Sequence, residues 1–353
     1  MDRLPYPVYP ALPPPARGRR RRWVGLFLAL VVFLFLAGGG YLYLRGLTGP
    51  TGHAAIVRIP PGAGAAAIGE LLEREGVVRS GRAFALLARL TGAEKKLKSG
   101  VFRLEGRGTL AVLRELLAPR PVTVRVTFPE GWRAVDYARR LAEAGLDGEG
   151  FLALAQSPPP DLKPPYDEGP TLEGYLFPDT YEIPVGAAPR EIVRMMLRRF
   201  GRELTPEREA RLSVLGLSVH AWVTLASIVQ AEAGSEEEMP WIAGVYLNRL
   251  EIGMPLQADP TVAYAVGKDL PELDRGAGDF EADSPYNTYK HPGLPPGAIN
   301  NPGSAALRAV LEARRLSPRG EPYLYFFHAR GKLYLNETFA GHLRDLNRYR
   351  YGR

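Results

Sequence analysis

One carboxylate in this chain sits where a carboxylate is expensive. In LASIVQAEAG (225–234), Glu232 follows Leu225 by seven residues, Ile228 by four and Val229 by three. At about 100° per residue these positions share one helical face with Trp222. His220, Thr224, Ser227 and Gln230 share the other face. Ser218 can cap such a helix and Gly234 can close it. Glu232 then falls in the last turn, at the negative end of the helix dipole. The dipole and the apolar neighbours both favour the protonated acid and push its pKa upward. A glutamate that keeps its proton near neutral pH is what a general acid needs. Periodicity alone leaves a second reading open, an ion pair with an arginine at the edge of a core.

Other polar clusters carry weaker signals. Ser235 followed by Glu238, ahead of WIAGVYLNRLEIG, reads as a capping box, with Glu236 and Glu237 solvating the helix start. Ile242, Val245, Tyr246 and Leu250 form the inner stripe of that helix, and Gly253 ends it. The segment SPYNTYKHPGLPPGAINNPG (284–303) is long, with five prolines and three glycines. Such a loop is either disordered or functional. Its Tyr286, Asn287, Tyr289 and Asn300 offer ring faces and amides, the groups that grip sugar C–H faces, hydroxyls and acetamides. Gln257 and Asp259 in PLQADPTV add two polar groups, and each of these residues serves a turn equally well. The five histidines show no metal-ligand spacing, so no metal and no cofactor are expected. Ser218 lacks the second glycine of a nucleophile elbow, and Gly62, Gly64 and Gly69 miss both nucleotide-loop patterns. With no cysteine in 353 residues, disulfides and thiolate chemistry are excluded.

The elements around these residues read as α+β, with helices alternating with short, local strands. Residues 1–22 hold six arginines against one aspartate and form a basic tail. The formal charge of +7 is largely that tail, which argues against a nucleic-acid surface. Residues 23–44 carry no charge, begin at Trp23 and end near Tyr41 and Tyr43. Twenty-two residues at about 1.5 Å each cross a hydrocarbon core of ~30 Å, so a single transmembrane helix is expected, with its N-terminus in the cytoplasm. A cleaved signal peptide is the alternative; the stretch is long for one, and no clear cleavage site follows. After a linker at 46–52 come a strand, two helices, a strand and a third helix over 54–119. VTVRVTF (122–128) alternates as a strand, PEGWRAVDYARRLAEAG makes a turn and helix, and YLYFFHARGKLYLN a late hairpin.

EGYLFPDTY (173–181), LASIVQAEAG, AGVYLNRLEIGMPLQADPTVAYAVG (243–267) and YNTYKHPGLPPGAINNPG (286–303) together resemble the endolytic murein transglycosylases, the YceG-like family of membrane-anchored cell-wall enzymes. The resemblance implies a LysM-like subdomain over 54–119 and a catalytic domain over 120–351. The family's helix usually carries two glutamates two residues apart. Here the first is Gln230, so the catalytic role passes to Glu232. The implied substrate is a peptidoglycan glycan strand, cut at the bond between N-acetylmuramic acid and N-acetylglucosamine to leave a 1,6-anhydro end. Glu173, Gln257, Asp259, Tyr286 and Asn287 are then expected to hold substrate. A hydrolase would need a second carboxylate, for which Asp259, Asp179 and Glu173 are candidates. The resemblance further implies wall synthases as partners and a catalytic domain outside the cell membrane. A membrane-anchored peptidoglycan-binding protein without activity is the other alternative.

Overall fold

The computed structural model describes residues 17–118 and 121–352, with side chains from residue 23 onward. Most of the expected basic tail therefore lies outside the described residues. The chain divides into two compact units, Met1–Val122 and Thr123–Arg353, and the elements are mixed α and β with small sheets.

The first unit opens with α1 (Arg17–Thr48), of which Trp23–Thr48 is long and apolar enough to cross a membrane. From Trp23 to Leu44 its side chains are exposed throughout. The helix runs past the expected end at residue 44 and absorbs part of the linker. The rest of that linker is pinned. Thr51 and Gly52 donate their N–H groups to Gly106 O at 2.8 and 3.1 Å, and Arg79 Nε donates to Pro50 O at 3.0 Å. Backbone donors that find partners cannot act as a free spacer.

Next come β1 (Ala54–Ile59), α2 (Ala65–Arg74), α3 (Gly81–Leu90), a single 3₁₀ turn (Glu94–Lys96), β2 (Gly100–Glu105) and α4 (Thr109–Leu117). The two strands pair antiparallel from Ala54↔Glu105 to Ile59↔Gly100. Ser80 caps α3 by accepting from Ala83 N at 3.3 Å. Helices α2 and α3 meet glycine on glycine: a Cβ on Gly69 would stand 2.3 Å from Gly81 O. That approach brings Ile68, Leu72 and Phe84 into one core with Val57, Phe102 and Leu113.

The second unit comprises β3 (Thr123–Thr127), α5 (Ala134–Glu143), α6 (Gly148–Gln156), β4 (Thr180–Pro184), α7 (Pro189–Phe200), α8 (Pro206–Leu215), α9 (Val219–Glu232), α10 (Met239–Glu251), α11 (Asp259–Val266), α12 (Ser304–Leu311), β5 (Tyr325–Ala329), β6 (Lys332–Asn336) and α13 (Phe339–Leu346). β3 pairs antiparallel with β4, and β5 with β6. One core gathers Phe128, Tyr137, Phe151, Ile183 and Met196 around the β3–β4 pair. A second gathers Trp222, Ile228, Ile242, Tyr246 and Leu307 around α9, α10 and α12.

α9 departs from its helical wheel. Ser218 caps it as expected, accepting from Ala221 N at 3.1 Å. Its polar face, however, is not wet: Thr224 and Ser227 are as buried as Trp222 and Leu225. A hydroxyl can join a core when backbone carbonyls and amides serve it, and Ser227 Oγ donates to Thr224 O at 2.7 Å. Gly234 does not close the helix in the left-handed region; Ala233 ends it in an extended conformation. The capping box before α10 is also absent. Glu238 reaches back to Gly234 N at 2.9 Å rather than to Ser235 N.

Candidate active site

Glu232 is the last residue of α9. Its carboxyl is packed round by protein, while the residue keeps partial access to solvent. Tyr246 Oη donates to Glu232 Oε1 at 2.8 Å. Tyr246 is fully buried on α10 and packs edge-on against Phe326, at 5.6 Å between ring centroids. Burial raises the Glu232 pKa to about 7, the Asp259 charge adds to the rise, and the Tyr246 hydroxyl and the Arg249 cation oppose it. Burial likewise drives the Tyr246 phenol up, and the Glu232 charge adds to it, so Tyr246 remains the donor.

One turn beyond Tyr246, Arg249 is buried and serves as a backbone clamp. Its guanidinium donates to Leu324 O (2.7 Å) and Leu256 O (2.6 Å). Arg249 thereby fixes the loop that carries the next candidates. Gln257 is exposed, and its φ of 51° lies in the left-handed region that side chains seldom adopt. Asp259 opens α11, half exposed, and accepts from Tyr289 Oη at 2.5 Å. Two expected site residues, Glu232 and Asp259, thus stand within electrostatic reach of each other.

A cleft of about 380 Å³ reaches the residues next to both. Ala231 and Pro260, their neighbours in sequence, line it together with Trp132, Arg133, Tyr264, Lys268 and Asn300. Tyr286 is half-buried beside it, its ring 4.8 Å from that of Tyr264. The long loop 284–303 is ordered against α9. Ile299 N and Asn300 Nδ2 donate to Ser227 Oγ and Ser227 O at 3.0 and 2.8 Å. His220 Nε2 donates to Pro296 O at 3.0 Å, which leaves Nδ1 to accept from Tyr175 Oη, also at 3.0 Å.

Three carboxyl or amide candidates sit elsewhere than expected. Asn287 is fully buried, its amide donating to Phe280 O and Ala282 O at 2.9 and 3.0 Å, so it holds the loop. Asp179 is bound to Arg199 Nε at 2.6 Å. Glu173 is buried beneath the 131–134 turn, where Ala134 N donates to it at 3.0 Å and Asn301 Nδ2 at 2.6 Å. Asn301 is the hub of this layer. Its Oδ1 accepts from Gly174 N (2.9 Å) and Leu176 N (3.2 Å), and its backbone exchanges bonds with Gly131 and Trp132 at 2.8 and 3.0 Å. Gly174 sits at φ 93° with a Cβ position 2.6 Å from both Ala298 and Val223, so no larger residue fits there. The sequence reading missed Trp132, Arg133, Tyr264, Asn301 and the role of Tyr246. For Tyr246 a signal existed: a phenol in an apolar stripe needs a partner.

Burial raises the Glu173 pKa to about 7, against the bonds from Ala134 and Asn301 that lower it. Folding therefore favours its protonated form. That contribution is full below an ordinary carboxyl value of 4.5 and is lost as pH rises through about 7. Glu173→Gln removes the titration and keeps an acceptor. Melting curves at pH 4.5 and pH 8 should show a smaller fall for the variant than for the parent protein; equal falls would contradict the assignment.

A model of the YceG-like family matches residues 57–348. The endolytic murein transglycosylase of Bacillus subtilis strain 168 is 31% identical over 342 residues, spanning 89% of this chain and 91% of that one. The endolytic murein transglycosylase of Streptococcus pneumoniae strain D39 is 31% identical over 359 residues, spanning 90% of this chain and 64% of that one. The crystal structure of a yceG-like protein from Listeria monocytogenes aligns with a TM-score of 0.54 at 28% identity, covering 82% of this chain and 98% of the other.

Proposed function

The chain belongs to the YceG-like family, and from that premise we propose that it is an endolytic lytic transglycosylase of peptidoglycan, anchored in the cell membrane by α1, with Glu232 as its general acid and base. The observation that carries this reading is the environment of Glu232: an acid held near pKa 7, bonded to Tyr246, and next in the chain to Ala231, which lines a cleft together with Trp132 and Tyr264.

The reaction follows from one carboxyl acting twice. Protonated Glu232 gives its proton to the glycosidic oxygen between N-acetylmuramic acid and N-acetylglucosamine, and the C1–O bond breaks. The carboxylate then takes the proton of the muramyl 6-hydroxyl, whose oxygen closes on C1. Glu232 ends protonated, and no water is consumed. Trp132 and Tyr264 offer ring faces to the sugars, and Gln257, Asp259 and Tyr286 border the strand's path as substrate-orienting groups. Glu173 and Asn287, both buried, support the site from behind.

The six arginines before Trp23 support a cytoplasmic N-terminus, with the second unit then outside the membrane. Residues 54–119 are read as the LysM-like subdomain and 120–351 as the catalytic domain. A cutter tethered there meets new strands as they leave the synthases, which makes those synthases its expected partners.

The deciding experiment digests un-crosslinked glycan strands and weighs the products. Internal fragments ending in 1,6-anhydromuramic acid support the reading. Products heavier by one water would mean a hydrolase, with Asp259 the first carboxylate to test as partner. Strands bound but uncut would mean a peptidoglycan-binding protein.

The rate should fall as pH rises through about 7, where Glu232 loses its proton. The Tyr246 hydroxyl stabilises the carboxylate, so Tyr246→Phe raises the Glu232 pKa. A hydrogen bond of about 1 kcal/mol corresponds to roughly one pH unit. The alkaline limb of kcat/KM should move upward by that order, and an unmoved limb would remove Tyr246 from the proton chemistry.

A further inference from the structure

We propose that the outer face of α3, with the 3₁₀ turn that follows it, lies on the anionic surface of the membrane beside α1. This rests on the reading of α1 as the anchor. Between Arg79 and Lys98 the chain carries six cations, Arg79, Arg82, Arg89, Lys95, Lys96 and Lys98, against the single acid Glu94. On the helical wheel Arg82, Leu86, Arg89 and Leu90 fall within about 100° of one another. Leu86 is 59% and Leu90 77% exposed, while Phe84 and Ala88 on the opposite side are fully buried. Two leucines four residues apart, flanked by arginines and facing water, make the pattern of a helix that rests in a headgroup layer.

The place of this face in the fold names its occupant. Arg79 Nε is bonded to Pro50 O, two residues past the end of α1, so α3 begins where the apolar helix ends. Only residues 45–50 separate that bond from the charge-free stretch, on the order of 10 Å at a helical rise. A ten-residue α3 is about 15 Å long, and long basic side chains add to its reach. The surface within reach of these cations is thus the lipid headgroup layer that α1 leaves. Arg89 is only loosely engaged by Glu94, at 3.9 Å with both side chains largely exposed. The other charges of the stretch have no carboxylate within 4 Å among the described residues. Each cation close to an anionic membrane strengthens the association roughly fivefold, and salt screens the effect.

The absence of cysteine makes the test direct. The full chain carrying Leu90→Cys is labelled with an environment-sensitive fluorophore and inserted into nanodiscs containing spin-labelled lipid. Separate samples carry the label at Leu30→Cys, inside α1, and at Val214→Cys, an exposed site in the second unit. In discs with phosphatidylglycerol, the label at 90 should shift to the blue and be quenched several-fold more than the label at 214. Discs of phosphatidylcholine alone, 0.5 M salt, or the combined Arg82→Glu, Lys95→Glu and Lys96→Glu substitutions should each largely abolish that quenching. Quenching at 30 with none at 90 in the anionic discs would overturn the proposal while leaving the anchor intact. No quenching at 30 would overturn the anchor itself and the proposal with it. Shielding of the label at 90 by added glycan strands, without lipid quenching, would assign the face to the wall and overturn the proposal.

Discussion

Glu232→Gln should lower kcat on un-crosslinked glycan strands by about 10³-fold or more without lowering the melting temperature. A positioned general acid contributes roughly 10²–10⁴-fold, and here the same group would also serve as the base. An amide can do neither. Stability should move the other way. Burial makes the Glu232 carboxylate costly above pH 7, and Oε1 of an amide can still accept from Tyr246 at that site. The neutral variant is therefore expected to melt at the same temperature as the parent protein or higher at pH 8. A variant that loses activity only because it unfolds would show as a lowered melting point. Retained cleavage with intact folding would make Glu232 a core acid and send the search to Asp259.

The second large effect falls on stability. Asn301→Leu should destabilise the second unit by about 3–5 kcal/mol, because a fully buried amide that satisfies several partners would be replaced by a group that satisfies none. The Gly174 and Leu176 N–H groups would lose their acceptor, and Glu173 would lose its shortest bond. For a unit of this size that corresponds to a fall of roughly 10 °C in melting temperature. Asn301→Asp should divide the effect. It keeps the acceptor for the two N–H groups but sets a second carboxyl against Glu173, so its penalty should grow with pH. A loss of under 1 kcal/mol for Asn301→Leu would contradict the hub.

These two residues mark what the sequence could and could not disclose. Glu232 was legible because helical spacing places a carboxylate among apolar residues, and that local pattern survives in the fold. The pattern held for an incomplete reason: α9 is buried on its hydroxyl-bearing side as well, since Ser227 and Thr224 are enclosed by the 284–303 loop and neighbouring helices. Asn301 was invisible. Its partners lie 125 to 170 positions away in the chain, and no local rule reports a bond of that span. Glu173 and Asn287 were assigned to substrate for a related reason. A polar residue in a loop looks alike in sequence whether it faces a ligand or satisfies buried backbone, and only packing separates the two. The strands other than β4, and helices α1 to α5, α9 and α10, were readable from periodicity and turns; β4 and the remaining helices were not. The linker at 46–52 was not, because its glycine, proline and threonine suggest flexibility, while its backbone is bonded to Gly106 and Arg79 and its Thr51 hydroxyl to Val77 O.

The layer around Asn301 also sets an order of events when the chain is made. Trp132 and Asn301 are 169 residues apart, so at 5–20 residues per second the turn at 131–134 waits roughly 10 to 30 s for its partner. Through that interval the first unit has every residue it needs, while the β3–β4 half of the second unit stands with Glu173 and the amides of Gly174 and Leu176 unmatched. A protease meeting the unfinished chain would find that half open. Shortening from the C-terminus should accordingly have a threshold: loss of the last helix leaves the layer whole, whereas loss of residues from 301 onward leaves a folded first unit and a second unit open to proteolysis.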